Sequence, residues 1–164
     1  YCRAFYLTYG LETVAIRYFN VFGPRQDPAS AYAAVIPRFM KAVSEKRSIT
    51  IFGDGEQSRD FTYVDNVVHA NLLAMSASKA PGEVMNVACG QQFTVNELAG
   101  KICALMGAPF APEYKPTRAG DVQHSRADIK QAQTILGYQP EVLFDDGLER
   151  TVEAFLADGR QQIK

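Results

Sequence analysis

Short runs rich in β-branched and aromatic residues alternate along this chain with stretches in which apolar residues recur every three or four positions. That alternation argues an α/β domain, because strands and helices that follow one another in turn pack as layers around a shared sheet. TVAIRYFNVFG, residues 13–23, reads as a strand running into a loop. A helix is expected near Ala34, with Pro37 tolerated in its first turn and Ile36, Phe39, Met40 and Val43 on one face. SITIF, 48–52, is a short strand ending in the turn GDG. Asp65 can cap a helix carrying Val67, Val68, Leu72 and Met75, and EVMNVA, 83–88, is another buried strand. In FTVNEL, 93–98, Thr94 and Glu97 have the spacing of a capping box. Phe93 and Leu98 fit the hydrophobic staple, and Leu98, Ile102 and Leu105 form the inward face as far as Gly107. Asp128 and Asp145 can cap two further helices, the first closing at Gly137 and the second turning Leu148, Val152 and Phe155 inward. The proline-rich segment APFAPEYKPTRAGD, 108–121, lacks periodicity and reads as a long irregular loop.

At 164 residues the chain is long enough for one domain that buries roughly 68–70% of its unfolded surface. The formal net charge of −1 and an apolar fraction of 47% indicate neither disorder nor a polyanion-binding surface. No apolar run reaches the roughly 18 residues of a membrane span and no signal peptide opens the chain, so the cytoplasm is the expected location. Cys2, Cys89 and Cys103 form no CxxC pair and read as reduced thiols. The opening YCRAFYLTYG, with Tyr1, Phe5 and Tyr9 at helical spacing and Gly10 as a stop, reads like the end of a helix already under way. The expectation is therefore a carboxyl-terminal piece of something longer.

Four places carry candidate chemistry. Asn20 ends a strand, where open α/β sheets bind ligands, although asparagine is also a plain turn former. Arg59 in GDGEQSRDF follows a turn, and pairing with Asp60 is its bland reading. In RAGD, Gly120 permits a tight turn that lets Arg118 and Asp121 face one point, a cation for phosphate and an acceptor for hydroxyls; a local surface ion pair is the alternative. His69 and His124 lack partners at metal-ligand spacing.

The segments 9–28 (YGLETVAIRYFNVFGPRQDP), AAVIPRF, IFGDGEQSRDFTYVDNVV, NVACGQQFTVNEL and RAGDVQHSRADIKQAQTILGY come in an order and spacing that resembles the carboxyl-terminal half of the NAD-dependent sugar epimerase/dehydratase family, the extended short-chain dehydrogenases. The resemblance covers nearly the whole chain and is nearest to the UDP-glucose and UDP-N-acetylglucosamine 4-epimerases. It implies the last part of a Rossmann-type doubly wound sheet plus a small α/β substrate-binding lobe. Residues 1–24 would be the last helix and strand of the cofactor domain, and 25–164 mainly the substrate lobe, with 60–89 returning to the cofactor domain.

The same resemblance implies that Asn20 meets the nucleotide-sugar diphosphate and that Tyr18 lies near the nicotinamide of NAD. Arg59 and Arg118 would clamp the diphosphate, Asp121 would accept from a ribose hydroxyl, Val35 and Phe52 would line the uracil pocket, and Ser125 would stand at the wall of the hexose pocket. The family's dinucleotide glycine motif and its catalytic Tyr-x-x-x-Lys are expected upstream of Tyr1, since no tyrosine here has lysine four residues later. A UDP-sugar substrate, hydride removal and return at carbon 4, and a homodimer are implied, with no nucleic acid, membrane or metal partner. Other reactions of the family on a nucleotide sugar, or non-catalytic binding of one, stay open.

Overall fold

In the computed structural model, residues 1–27 and 35–161 are described. Helix α1 (Cys2–Tyr9) leads to strands β1 (Ala15–Tyr18) and β2 (Val21–Phe22), helix α2 (Val35–Ser44), and strands β3 (Thr50–Phe52), β4 (Ser58–Arg59) and β5 (Thr62–Tyr63). Helix α3 (Val64–Ser76), strands β6 (Val84–Val87) and β7 (Phe93–Thr94), helix α4 (Val95–Leu105), strand β8 (Glu113–Lys115) and helices α5 (Lys130–Leu136) and α6 (Phe144–Gln161) follow. Three strand pairs are parallel: β1 with β6 (Ala15 opposite Val84), β2 with β5 (Val21 opposite Thr62) and β3 with β8 (Thr50 opposite Glu113). Antiparallel pairing joins β4 to β7, and among the described residues β1 pairs with β6 alone. Parallel partners need crossovers, and most of these run through helices, which is why helices and strands alternate in the sequence.

The local signals work where the side chains have one good partner. Gly10, at φ 69°, closes α1 in the left-handed conformation, its N–H donating to the Tyr6 carbonyl at 2.9 Å. At α4 the capping box is complete: Glu97 N–H donates to Thr94 Oγ1 at 3.0 Å and Thr94 N–H donates to Glu97 Oε2 at 2.7 Å. Ile36, Pro37, Phe39 and Met40 are buried on α2, while Ala34 lies outside the described residues. The second capping aspartate acts from two positions before its helix, Asp128 Oδ1 accepting from Lys130 N–H at 3.0 Å while Ile129 holds the cap position.

Four expectations are corrected. The proline-rich segment is not wholly irregular, since Glu113–Lys115 adds to β3 as β8; the pairing partner lies some sixty residues back and leaves no periodic trace. Val68, Leu72 and Met75 on α3 are 53%, 60% and 84% exposed, and the buried face is instead Asn66 and Ala70 with Leu73 and Ala74. That helix is apolar on several sides, so its pattern does not select a face. Leu105, 40% exposed, gives up its inward place on α4 to Ala99 and Cys103. Tyr63 rather than Asp65 occupies the cap of α3, and Asp65, like Asp145 and Asp146 at the start of α6, sits in the first turn, where a carboxylate favours the positive end of the helix dipole.

Among the described residues two apolar clusters form the core. The larger joins α2, β3, β5, α4 and α6 around a set of aromatic rings. Phe93 stacks on Phe144 with centroids 4.1 Å apart, and Phe22 meets Phe61, Tyr63 and Phe144 edge-on. The smaller joins β6, α3 and α5 around Met85, Val87, Ala70 and Tyr138, with Ile16 of β1 against it.

Asn66, fully buried on α3, ties the start of that helix to the segment before α6. Its Oδ1 accepts from Glu141 and Val142 N–H at 2.9 and 3.0 Å, and its Nδ2 donates to the Val142 carbonyl at 2.6 Å. Replacing Thr94 with Ala should cost about 1 kcal/mol, the ordinary worth of an exposed N-cap. Asn66→Ala should cost more, because each stranded buried group carries a penalty of about 1–3 kcal/mol. Urea unfolding of both variants checks the order, and equal losses would refute it.

Candidate functional site

A cavity of about 490 Å³ opens where α2, β3, β4 and the end of β1 meet the segment 118–121, a volume within the usual range for small-molecule sites. Asn20, immediately beyond β1, adopts φ 33°, a region asparagine tolerates better than most residues. Its Nδ2 donates to the Asp60 carbonyl at 3.0 Å, and its own carbonyl accepts from Thr62 N–H at 3.3 Å, which holds the strand end against β5. Because side chains alternate along an extended strand, Ser58 and Asp60 turn into the protein and Arg59 turns to the cavity.

The segment 118–125 is brought to β4 by parallel bridging. Ser58 N–H donates to the Gln123 carbonyl at 2.9 Å and Ser125 N–H to the Ser58 carbonyl at 3.0 Å. Ser58 Oγ also lies 2.9 Å from His124 Nδ1 and accepts from Gln92 Nε2 at 3.2 Å. With the segment anchored, Asp121 Oδ1 accepts from Arg59 in an ion pair, and Arg59 also donates to the Ser58 carbonyl at 2.8 Å. The Arg118 guanidinium lies over the Phe52 ring, 3.7 Å from its centroid. Gln57 Nε2 donates to the Phe52 carbonyl at 2.6 Å and fixes the turn below that ring. In this turn Gly55, at φ 82°, has no room for a Cβ, which would come within 2.0 Å of Asn96 Oδ1.

Six residues singled out from the sequence, Asn20, Val35, Phe52, Arg59, Arg118 and Asp121, line this one cavity. Tyr18 and Ser125 do not. Tyr18 is 46% exposed on the carboxyl end of β1 and donates through its hydroxyl to Asn71 Oδ1 at 3.0 Å. Arg59 pairs with Asp121 rather than with its chain neighbour Asp60. Sequence reasoning missed Arg38, Lys41, Arg47 and Gln57. Arg38 and Lys41, three apart on the polar face of α2, were the available signal. With Arg59 and Arg118 they give a lining rich in cations against one carboxylate, Asp121, among the described residues, so the cavity suits an anion that carries several oxygens. Among the described residues no group of three His, Cys, Asp or Glu is placed to hold a metal ion, and no helix is long and apolar enough to cross a membrane.

Residues 1–88 match the family model described as the NAD dependent epimerase/dehydratase family. The chain belongs to that family. It is 40% identical over 147 residues to a UDP-glucose 4-epimerase of Mycolicibacterium smegmatis, covering 90% of this chain and 46% of that protein. The solved UDP-glucose 4-epimerase of Thermotoga maritima with UDP-glucose superposes with a TM-score of 0.89 at 42% identity, covering 98% of this chain and 50% of that one. A UDP-glucuronic acid 4-epimerase of Bacillus cereus, solved with UDP-glucuronic acid and NAD, superposes with a TM-score of 0.84 at 31% identity, covering 99% of this chain and 49% of that one. The chain thus spans about half the length of these relatives, and its mixed α/β fold with parallel strands is the Rossmann-like fold of the epimerases.

NAD is the cofactor of this family. The diphosphate of a dinucleotide sits on a glycine-rich turn between a strand and a helix. The sequence contains no Gly-x-Gly-x-x-Gly, so the residues here do not make that cradle.

The three thiols stand in different surroundings. Burial, reinforced by the nearby Asp60 carboxylate, pushes Cys89 up to about 11, and burial also raises Cys103, whereas Cys2 is exposed. Since the thiolate is the reactive form, iodoacetamide at pH 8 should modify Cys2 alone in the folded chain. Peptide mapping after labelling checks this, and rapid modification of Cys89 would contradict its burial.

Proposed function

We propose that the cavity binds the nucleoside diphosphate of a UDP-sugar, and that the protein carrying this chain is an NAD-dependent nucleotide-sugar 4-epimerase acting on UDP-glucose or UDP-N-acetylglucosamine. The observation that carries the reading is convergence: Asn20, Val35, Phe52, Arg59, Arg118 and Asp121, from four separate stretches of chain, line one cation-rich cavity. Arg59 and Arg118 each present a rigid fork of donors to the diphosphate, with Asn20 beside them at the end of β1. Asp121, which holds Arg59 in place, accepts from a ribose hydroxyl, and Phe52 with Val35 flanks the uracil. Tyr18 faces the nicotinamide end of the cofactor from the tip of β1.

NAD, when bound, supplies the hydride acceptor and donor at carbon 4. The residues of this chain bind and orient. A substrate gripped by its nucleotide leaves the hexose free to present either face, and binding energy far from the reacting carbon positions it. The proton-transferring Tyr-x-x-x-Lys pair is not among these residues. A homodimer in the cytoplasm completes the reading. The apolar side chains exposed on α1 and α3, Phe5, Leu7, Leu72 and Met75 among them, suit burial against further protein.

If the two arginines grip the diphosphate, Arg59→Ala and Arg118→Ala in the protein that carries this chain should each weaken UDP binding by roughly 1.5–3 kcal/mol, about 10- to 150-fold, the range for hydrogen bonds to charged groups shielded from water. NAD affinity should hardly change. Calorimetric titration checks both quantities, and unaltered UDP affinity in both variants would return the arginines to a surface role.

Ser125, fixed by its backbone to Ser58 just outside the cavity lining, is proposed to leave room beside carbon 2 of the hexose. Ser125→Tyr should then exclude the N-acetylated sugar while sparing UDP-glucose, because a filled pocket penalises only the ligand that needs the volume. The ratio of kcat/KM for the two sugars decides, and equal losses would remove Ser125 from the hexose site.

A further inference from the structure

Asp60 does not line the cavity, yet it is hydrogen-bonded to Asn20, which does, and to the end of the stretch that carries Arg118 and Asp121. It is fully buried. One carboxylate oxygen, Oδ1, accepts from Cys89 N–H at 3.1 Å; the other, Oδ2, accepts from Gly90 N–H at 3.0 Å and from Ala127 N–H at 3.2 Å. Its backbone carbonyl accepts from Asn20 Nδ2 at 3.0 Å. Arg59 is its chain neighbour, and Ala127 closes the stretch that carries Arg118, Asp121 and Ser125.

We propose that Asp60 is a positioning residue for the diphosphate site: its buried carboxylate sets the separation between Arg59 and the 118–126 segment, and through it the affinity for the nucleotide. The proposal rests on reading the cavity as a nucleoside diphosphate site. Three convergent N–H donors explain why the residue is a carboxylate. An ionised carboxyl group accepts on both oxygens, whereas the amide of Asn would aim its own N–H₂ at one or two of those donors. Backbone N–H groups favour the charged form and burial opposes it, and the balance leaves the carboxyl above its usual range. A neighbouring arginine does not neutralise it, because strand alternation sends Arg59 to the opposite face, where Asp121 pairs with it. The two sides of the strand therefore make complementary contacts with one loop, Asp60 holding residue 127 from within and Arg59 holding residue 121 from the cavity.

The experiment compares Asp60→Asn with Tyr138→Phe in the protein that carries this chain, titrating UDP well below each variant's unfolding midpoint. Tyr138 donates its hydroxyl to the Ala88 carbonyl at 3.0 Å, so it anchors the same loop without touching Arg59 or residue 127. Asp60→Asn should weaken UDP binding roughly tenfold or more, whereas Tyr138→Phe should lower the midpoint and leave UDP affinity within about twofold. Equal UDP affinity in wild type and Asp60→Asn, or an equal loss in both variants, would overturn the proposal.

Should Asp60→Asn not fold, amide exchange in the wild type answers the same question. Linkage is reciprocal, so UDP must slow exchange at the Cys89, Gly90 and Ala127 amides, none of which lines the cavity. Unchanged exchange there, beside slowed exchange at 118–121, overturns the role of Asp60 alone. A wild type that does not bind UDP overturns the reading of the cavity, and this proposal with it.

Discussion

A buried carboxylate without a cationic partner is costly unless hydrogen bonds replace its water, and Asp60 recovers them from backbone N–H groups 29, 30 and 67 residues further along the chain. Those donors exist in the right place only if β6 has passed beside β1 and the returning segment has closed over β4. The carboxylate therefore cannot be satisfied in a partly assembled chain. Asn66 imposes the same condition on α3 and the approach to α6, and the Tyr138 hydroxyl on the loop after β6. The three side chains form one polar seam at residues 88–90, where Tyr138 reaches the Ala88 carbonyl, Asp60 the Cys89 and Gly90 N–H groups and Asn66 the Cys89 thiol, and Asn20 ties the Asp60 carbonyl to the cavity lining.

Apolar packing supplies the stiffness this seam needs. Phe144 stacks on Phe61 and on Phe93 and meets Phe22 edge-on, so α6, β2, β7 and the residue just before β5 share one aromatic centre. The inner wall of the cavity is built directly on it, since Phe39, Ile51 and Phe61 belong both to that core and to the cavity lining. A close-packed wall does not yield, which is what a site needs if remote binding energy is to orient a substrate rather than deform the protein.

The legible parts of the fold were those whose partners lie within a few residues. The capping box of Thr94 and Glu97, the left-handed stops at Gly10 and Gly137 and the inward face of α2 all depend on spacing along one helix. The buried face of α3 was not legible because that helix is apolar on several sides, so only its neighbours distinguish Ala70 from Leu72. Strand β8 escaped notice because three residues between prolines carry no period, and their identity as a strand lies in β3.

At the site the division is the same. Residue types alone marked Asn20, Arg59, Arg118 and Asp121 as polar groups at turns and strand ends, and the order of five segments tied them to one family. The pairing of Arg59 with Asp121, the seat of Arg118 on Phe52 and the cations of α2 belong to tertiary structure. By itself the sequence determined the α/β class, several helix ends, the family and six of the residues that line the cavity, because these follow from local propensity and characteristic segments. Only the folded chain decided which carboxylate faces the cavity and which is buried behind it. Asp60 and Asp121 have the same chemistry, and what separates them is the side of the strand each reaches and the backbone donors that long-range pairing brings to one of them.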